Sequence, residues 1–148
     1  MDKIFRITII ISSILTVLMW VLPYFNYANF TQDEFDIMSW TSFGTSLPFN
    51  DLFSFGLLTA WLVTNLGLYF FIKPFRSIFA ILVIGTTLLS LFLGIAIYPP
   101  IEFAIFTAVT MLDGAIITML YLTSISAKFS NPNKALKQGR EKASRPLA

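Results

Sequence analysis

A chain of 148 residues that is 56% hydrophobic, 16% aromatic and only 12% charged, with a mean hydropathy of +0.76, is too apolar for a soluble domain of its size and belongs in a membrane. Cysteine and histidine are both absent, which excludes disulfides, thiolate nucleophiles, histidine-ligated haem and His/Cys metal cages. The cations fall at Lys3 and Arg6, at Lys73 and Arg76, and from Lys128 onward, whereas Asp33, Glu34, Asp36, Asp51 and Glu102 lie in or beside the alternate connections.

That charge pattern predicts an all-α integral membrane protein: an antiparallel bundle of four transmembrane helices with both termini in the cytoplasm. The expected spans are residues 4–24, 52–72, 78–97 and 101–123, with an outer loop over 25–51. Residues 1–126 then form the membrane domain and residues 127–148 a flexible basic tail. No Gly-rich phosphate loop, nucleophile elbow or basic segment interleaved with aromatics is present, so no cofactor and no nucleic acid is expected.

The first apolar run follows Lys3 and Arg6, and its start also fits a signal peptide. No small-x-small cleavage site follows Pro23, so it is expected to stay as the first span. Ser12, Ser13 and Thr16 are its interior polar groups, and Trp20, Tyr24 and Tyr27 mark the outer interface. No acidic residue lies in its apolar run, unlike the first span of small multidrug transporters.

The outer loop carries a helix signal. Thr31-Gln32-Asp33-Glu34 is a capping box, Phe30 and Phe35 are placed for a hydrophobic staple, and the acids suit the positive end of a helix dipole. A short interfacial helix is expected from Gln32 to Thr41, stopped near Gly44. Phe30, Phe35, Met38 and Trp40 would give it an apolar face, either a structural lid or a surface for a partner.

The second span holds Gly56 and Ala60, a small-xxx-small pair suited to close helix approach, and also Asn65. Lys73-Pro74-Phe75-Arg76-Ser77 reads as a tight turn, with Ser77 capping the third span. In that span Thr86, Ser90 and Gly94 recur at i, i+4 and i+8, a stripe that reads as a packing groove. Tyr98-Pro99-Pro100 closes the outer side, and Pro100 fits the first turn of the fourth helix.

The fourth span contains the anomaly, Asp113, because a carboxylate at bilayer depth costs on the order of 3 kcal/mol. At about 100° per residue, Thr107, Thr110, Gly114, Thr118, Tyr121 and Ser124 share one side of the wheel with Asp113 at its edge. The expectation is that this polar face points inward and that Ile101, Ile105, Val109, Leu112, Ile116 and Met119 face lipid. At about 1.5 Å per residue, Asp113, Asn65, Thr86, Thr87, Ser12 and Ser13 fall in one layer roughly 16 to 20 Å from the outer helix ends. No cation of the chain reaches that layer. Asp113 is therefore expected to hold its proton and to hydrogen-bond to Asn65 or to a layer hydroxyl. The candidate intramembrane polar site is thus Asp113, Asn65, Thr110, Thr86, Thr87, Ser12, Ser13 and Tyr121.

After Ser124 come six cations, Lys128, Lys134, Lys137, Arg140, Lys142 and Arg145, against the single Glu141. Such a tail is expected to lie on anionic lipid headgroups at the cytoplasmic face or to dock on a partner. The function expected from all this is non-enzymatic. The chain would be an accessory, assembly or immunity-type subunit of a bacterial inner membrane that binds another integral membrane protein, or itself, through its outer loop and transmembrane faces. A small proton- or cation-coupled transporter or channel built on Asp113 is the alternative, and a lipid-modifying enzyme is third.

Overall fold

The computed structural model describes residues 1–26, 30–41 and 51–130. Among these residues the regular elements are all helical: α1 (Asp2–Asn26), α2 (Gln32–Met38), α3 (Asp51–Tyr69), α4 (Lys73–Ser90), α5 (Pro100–Leu122) and α6 (Ser126–Ser130). Four of them, α1, α3, α4 and α5, are long and apolar enough to cross a membrane. The most extensive packing is between α1 and α5. Next come α3 with α4 and α1 with α3, while α4 touches α5 and α6 more lightly.

Local chemistry explains where these helices begin and end. Thr31 caps α2 with its side chain, and the Glu34 carboxylate accepts from the Thr31 backbone N–H at 2.8 Å, so the capping box is complete. The helix ends at Met38 and is followed by a turn, three residues short of the expected Thr41; Gly44, expected to stop it, lies outside the described residues. Pro100 opens α5, where a missing N–H costs no intrahelical bond.

The connection between α3 and α4 is tighter than the sequence suggests. Lys73-Pro74-Phe75-Arg76-Ser77, expected as the turn, is instead the start of α4, with Ile72 in the capping position and Ser77 inside the helix. Proline is tolerated there because the first N–H groups of a helix have no partner. The reversal is made by Phe71, whose φ of 57° is left-handed. Ile72 N–H donates to Gly67 O at 3.0 Å and Phe71 N–H to Leu68 O at 2.9 Å, the bond pair of a Schellman cap.

Phenylalanine in this conformation costs about 1–2 kcal/mol, and the ring offsets it through its contacts. Phe71 stacks on Phe5 at 5.6 Å between centroids and meets Phe129 at 5.4 Å, and Phe5 and Phe129 are fully buried. Phe129 belongs to α6, five residues that lie partly within the stretch expected as a flexible tail. Ile125 and Phe129 instead join the core, and Lys128 forms an ion pair with Asp2.

Helix α4 starts five residues earlier and ends seven residues earlier than the expected 78–97. Ser90 Oγ donates to Thr87 O and Thr87 Oγ1 to Val83 O, hydroxyl bonds that compete for the carbonyls of the last turns. Beyond the turn at Leu91 to Leu93, Gly94 has a φ of 74°, which takes it out of the helix. The expected Thr86-Ser90-Gly94 stripe therefore does not exist as a helix face.

The small-residue pair on α3 is corrected too. Gly56 and Ala60 are exposed, and nothing lies within 4 Å of a Cβ placed on Gly56. Gly67 is the glycine that packs: the Phe75 ring of α4 occupies the space where its Cβ would be.

Candidate functional site

Helix α5 is rotated from the expected orientation: Asp113 is buried and Ile101 exposed as expected, but the aliphatic side next to Asp113 goes inward rather than the threonine side. Its buried residues are Glu102, Val109, Asp113, Ile116 and Leu120, whereas Thr110, Gly114, Thr118 and Tyr121 are exposed. Val109 and Ile116, assigned to lipid, pack inward. The threonines need no inward partner because each satisfies its hydroxyl on its own helix. Thr107 donates to Phe103 O at 2.8 Å, Thr110 to Phe106 O at 2.9 Å and Thr118 to Gly114 O at 2.9 Å. A threonine closed in this way can face hydrocarbon.

Asp113 is buried at one edge of this face, 6% exposed, and its partner comes from α1. Ser12, fully buried, donates from Oγ to Asp113 Oδ1 at 3.1 Å. One residue on, Ser13 Oγ accepts from Asn65 Nδ2 of α3 at 3.0 Å. Consecutive residues point about 100° apart on a helix, so this serine pair lets α1 hydrogen-bond to α5 with one side chain and to α3 with the next. Thr16 Oγ1 closes on Ser12 O at 2.8 Å, one turn further along.

The remaining candidates of the expected layer do not join it. Thr86 donates to Leu82 O and Thr87 to Val83 O, both within α4. Thr110 faces outward. Tyr121 belongs to another region: its hydroxyl donates to Arg76 O at 3.3 Å, and the Arg76 guanidinium carbon stands 4.1 Å from its ring centroid. Arg6 lies near Tyr69 and Phe71 in the same manner, at 4.9 and 5.3 Å, and Lys128 Nζ is 5.4 Å from the Phe71 centroid. The aromatic cluster thus gathers basic residues from α1, α4 and α6 at one end of the molecule.

Phe35 and Trp40 are exposed, 54% and 58%, and α2 buries none of its side chains; Phe30 and Met38 are intermediate. Lys134, Lys137, Arg140, Lys142 and Arg145 lie outside the described residues.

Three buried polar groups escaped the sequence reading. Glu102 is 5% exposed and lies on the same face of α5 as Asp113, because a separation of eleven positions is close to three full turns. That spacing was the available signal, obscured by the position of Glu102 beside a connection. Thr64, 2% exposed, donates to Ala60 O. Trp61 Nε1, one turn before Asn65 on α3, is buried without a hydrogen-bond partner among the described residues, as is Asn65 Oδ1.

Ser13 and Asn65 also line a groove of about 320 Å³ between α1 and α3, whose walls include Ile10, Ile14, Leu62 and Leu66. Chemically, the arrangement is a carboxyl, two hydroxyls and an amide that tie three helices together. Among the described residues no three carboxylates converge to hold a metal ion. The chain matches no protein-family model, no curated protein and no solved structure.

Proposed function

We propose that this chain is a non-enzymatic accessory, assembly or immunity-type subunit that binds another integral membrane protein. In this reading the four spans form an antiparallel bundle in a bacterial inner membrane with both termini in the cytoplasm, as the distribution of Lys and Arg favours. Partner binding uses the outer face of α4 and α5 together with exposed Phe35 on α2 and Trp40 in the turn after it.

The observation that carries the reading is the outward stripe Thr110, Gly114 and Thr118 on α5. Small residues four apart let a second helix backbone approach closely, and helix association in lipid rests on such contact because there is no hydrophobic drive between helices there. Nothing lies within 4 Å of a Cβ placed on Gly114. Helix α4 beside it has one buried side chain, Phe79, and only 6% of its spanning window is buried, against 22%, 28% and 22% in the other three spans. These surfaces suit contact with helices of another chain.

A photo-crosslinking residue at Thr118 in the native membrane tests this. One discrete adduct with a different membrane protein is expected, and none from a matching probe at Val21 on the exposed side of α1. An adduct of twice the chain's own mass would replace the accessory role with self-association. Absence of any protein adduct at Thr118 would reject the reading.

A second reading, a proton- or cation-coupled carrier, is favoured by Glu102 and Asp113 sharing one buried face of α5. Its test is flux. Purified protein in liposomes should conduct protons or cations, and Asp113→Asn should abolish the flux; an inactive wild type rejects it.

A further inference from the structure

The groove between α1 and α3 has a definite build from end to end. Its walls are Ile9, Ile10 and Ile14 on one side and Leu62 and Leu66 on the other. Its polar lining groups, Ser13 and Asn65, bond to each other at 3.0 Å, and Asn65 Oδ1 is inaccessible. Tyr69 also lines it, and Arg6, one turn before Ile9 and Ile10, lies near the Tyr69 ring at 4.9 Å. An apolar groove about two helical turns long therefore has a guanidinium beside Tyr69 at one end.

Charge decides what belongs at that end. Arg6 is exposed and makes no contact ion pair among the described residues; Asp2, one turn earlier on α1 and within electrostatic reach of Arg6, is in direct contact with Lys128 instead. Two aromatic rings fix the guanidinium at the mouth of the groove. An exposed guanidinium beside two rings and an apolar groove is complementary to a phosphate carrying a hydrocarbon chain.

Size decides between a chain and a helix. A helix is about 10 Å across, so even a 10 Å length of one displaces on the order of 800 Å³. The groove offers about 320 Å³. That volume falls in the range of roughly 300 to 1,000 Å³ typical of small-molecule sites.

We propose that the α1–α3 groove is a binding site for one anionic phospholipid, with its phosphate on Arg6 and one acyl chain along Ile10, Ile14, Leu62 and Leu66. The lipid comes from the leaflet that faces the basic end of the molecule. It would fill the space beside the Ser13–Asn65 hydrogen bond, between two helices that also meet through the Trp20 and Phe55 rings. The site is separate from the α4–α5 surface, so it stands whether or not that surface binds a partner.

Native mass spectrometry of the full chain, released from vesicles of equal phosphatidylglycerol and phosphatidylcholine, tests the proposal. One retained phosphatidylglycerol is expected, favoured over phosphatidylcholine by about fivefold, the ratio that corresponds to about 1 kcal/mol for one basic side chain near an anionic headgroup. Arg6→Gln should bring that ratio to about one, and Arg6→Lys should keep most of it, since a retained charge still attracts phosphate. Leu66→Trp leaves Arg6 and its rings untouched but fills the groove, and should remove the bound lipid. Lys3→Gln, at another exposed cation of α1, should change nothing. Equal retention of the two lipids in the wild type would overturn the proposal, as would equal losses from Lys3→Gln and Arg6→Gln. A lipid-free dimer that Leu66→Trp dissociates would overturn it in favour of a second copy in the groove.

Discussion

The two faces of α5 follow opposite rules. On one, Glu102, Asp113, Ile116 and Leu120 are buried, and the carboxylate of Asp113 depends on a serine from another helix. On the other, Thr110, Gly114 and Thr118 are exposed, and both threonine hydroxyls are satisfied by a carbonyl one turn back on the same helix. The difference teaches that in a membrane helix polarity alone does not mark the inward face. What matters is whether a polar group can close its own hydrogen bonds: threonine can, through the i−4 carbonyl, and a carboxylate cannot.

The largest effect expected from this comparison is in packing. Ile116 is fully buried and Met111 is 71% exposed on the same helix. Ile116→Ala should destabilise the fold by about 2–5 kcal/mol, whereas Met111→Ala should stay within about 0.5 kcal/mol. Reversible unfolding in mixed micelles, followed by tryptophan fluorescence, measures both. Equal losses would mean that Met111 is covered by a second copy under those conditions.

Much of the fold was legible for the same physical reason that the face was not. Spans and connections follow from how many apolar residues cross a hydrocarbon core and from where Lys, Arg and Pro interrupt them, and both are properties of the chain itself. The capping box at Thr31 and Glu34 is equally local. The orientation of α5 depends instead on which neighbour fills which space, and a wheel that equates threonine with inwardness rotates it away from the face that is buried. The start of α4 was missed because Phe71 takes a left-handed conformation that normally calls for glycine, and tertiary ring contacts sustain it. Of the candidate polar site, Asp113, Asn65, Ser12 and Ser13 are drawn into pairs by α1, while Thr86, Thr87 and Thr110 stay on their own helices. Depth alone cannot separate those two groups.

Two glycines sharpen the comparison at the next level of magnitude. A Cβ on Gly67 would enter the Phe75 ring, whereas one on Gly114 meets nothing within 4 Å. Gly67→Leu should therefore cost about 1–3 kcal/mol through overpacking at the α3–α4 hairpin. Gly114→Leu should leave the stability of the isolated chain nearly unchanged and weaken only what α5 binds. A large stability loss from Gly114→Leu in monomeric protein would contradict the open face described above.

Hydrogen bonds come third. Ser12→Ala removes the one hydroxyl that reaches Asp113 from α1 and should cost about 0.6–2 kcal/mol. Thr118→Ala removes a bond within one helix and should be close to neutral. A double-mutant cycle of Ser12→Ala with Asp113→Asn separates the pair from its surroundings. Additive losses would mean that the Ser12–Asp113 contact contributes nothing of its own.

The smallest effect lies where self-sufficiency is carried furthest, in α2, which buries no side chain and relies on its cap. The Thr31 backbone N–H, and after it the Thr31 side chain, hold the Glu34 carboxyl below its ordinary value of 4.5. Because the folded value is the lower one, the cap contributes fully above pH 4.5 and is lost as pH falls through the folded value. The Thr31 amide resonance, followed by NMR in micelles, should therefore titrate with a midpoint below 4.5, and Glu34→Gln should flatten the curve while keeping a hydrogen-bond acceptor in place. The same acidification should leave the Thr118 amide unmoved, since its helix is not held by this carboxylate. A midpoint at or above 4.5 would show that the carboxylate is not bonded to the cap, and α2 would then need a tertiary contact to explain why seven residues stay helical.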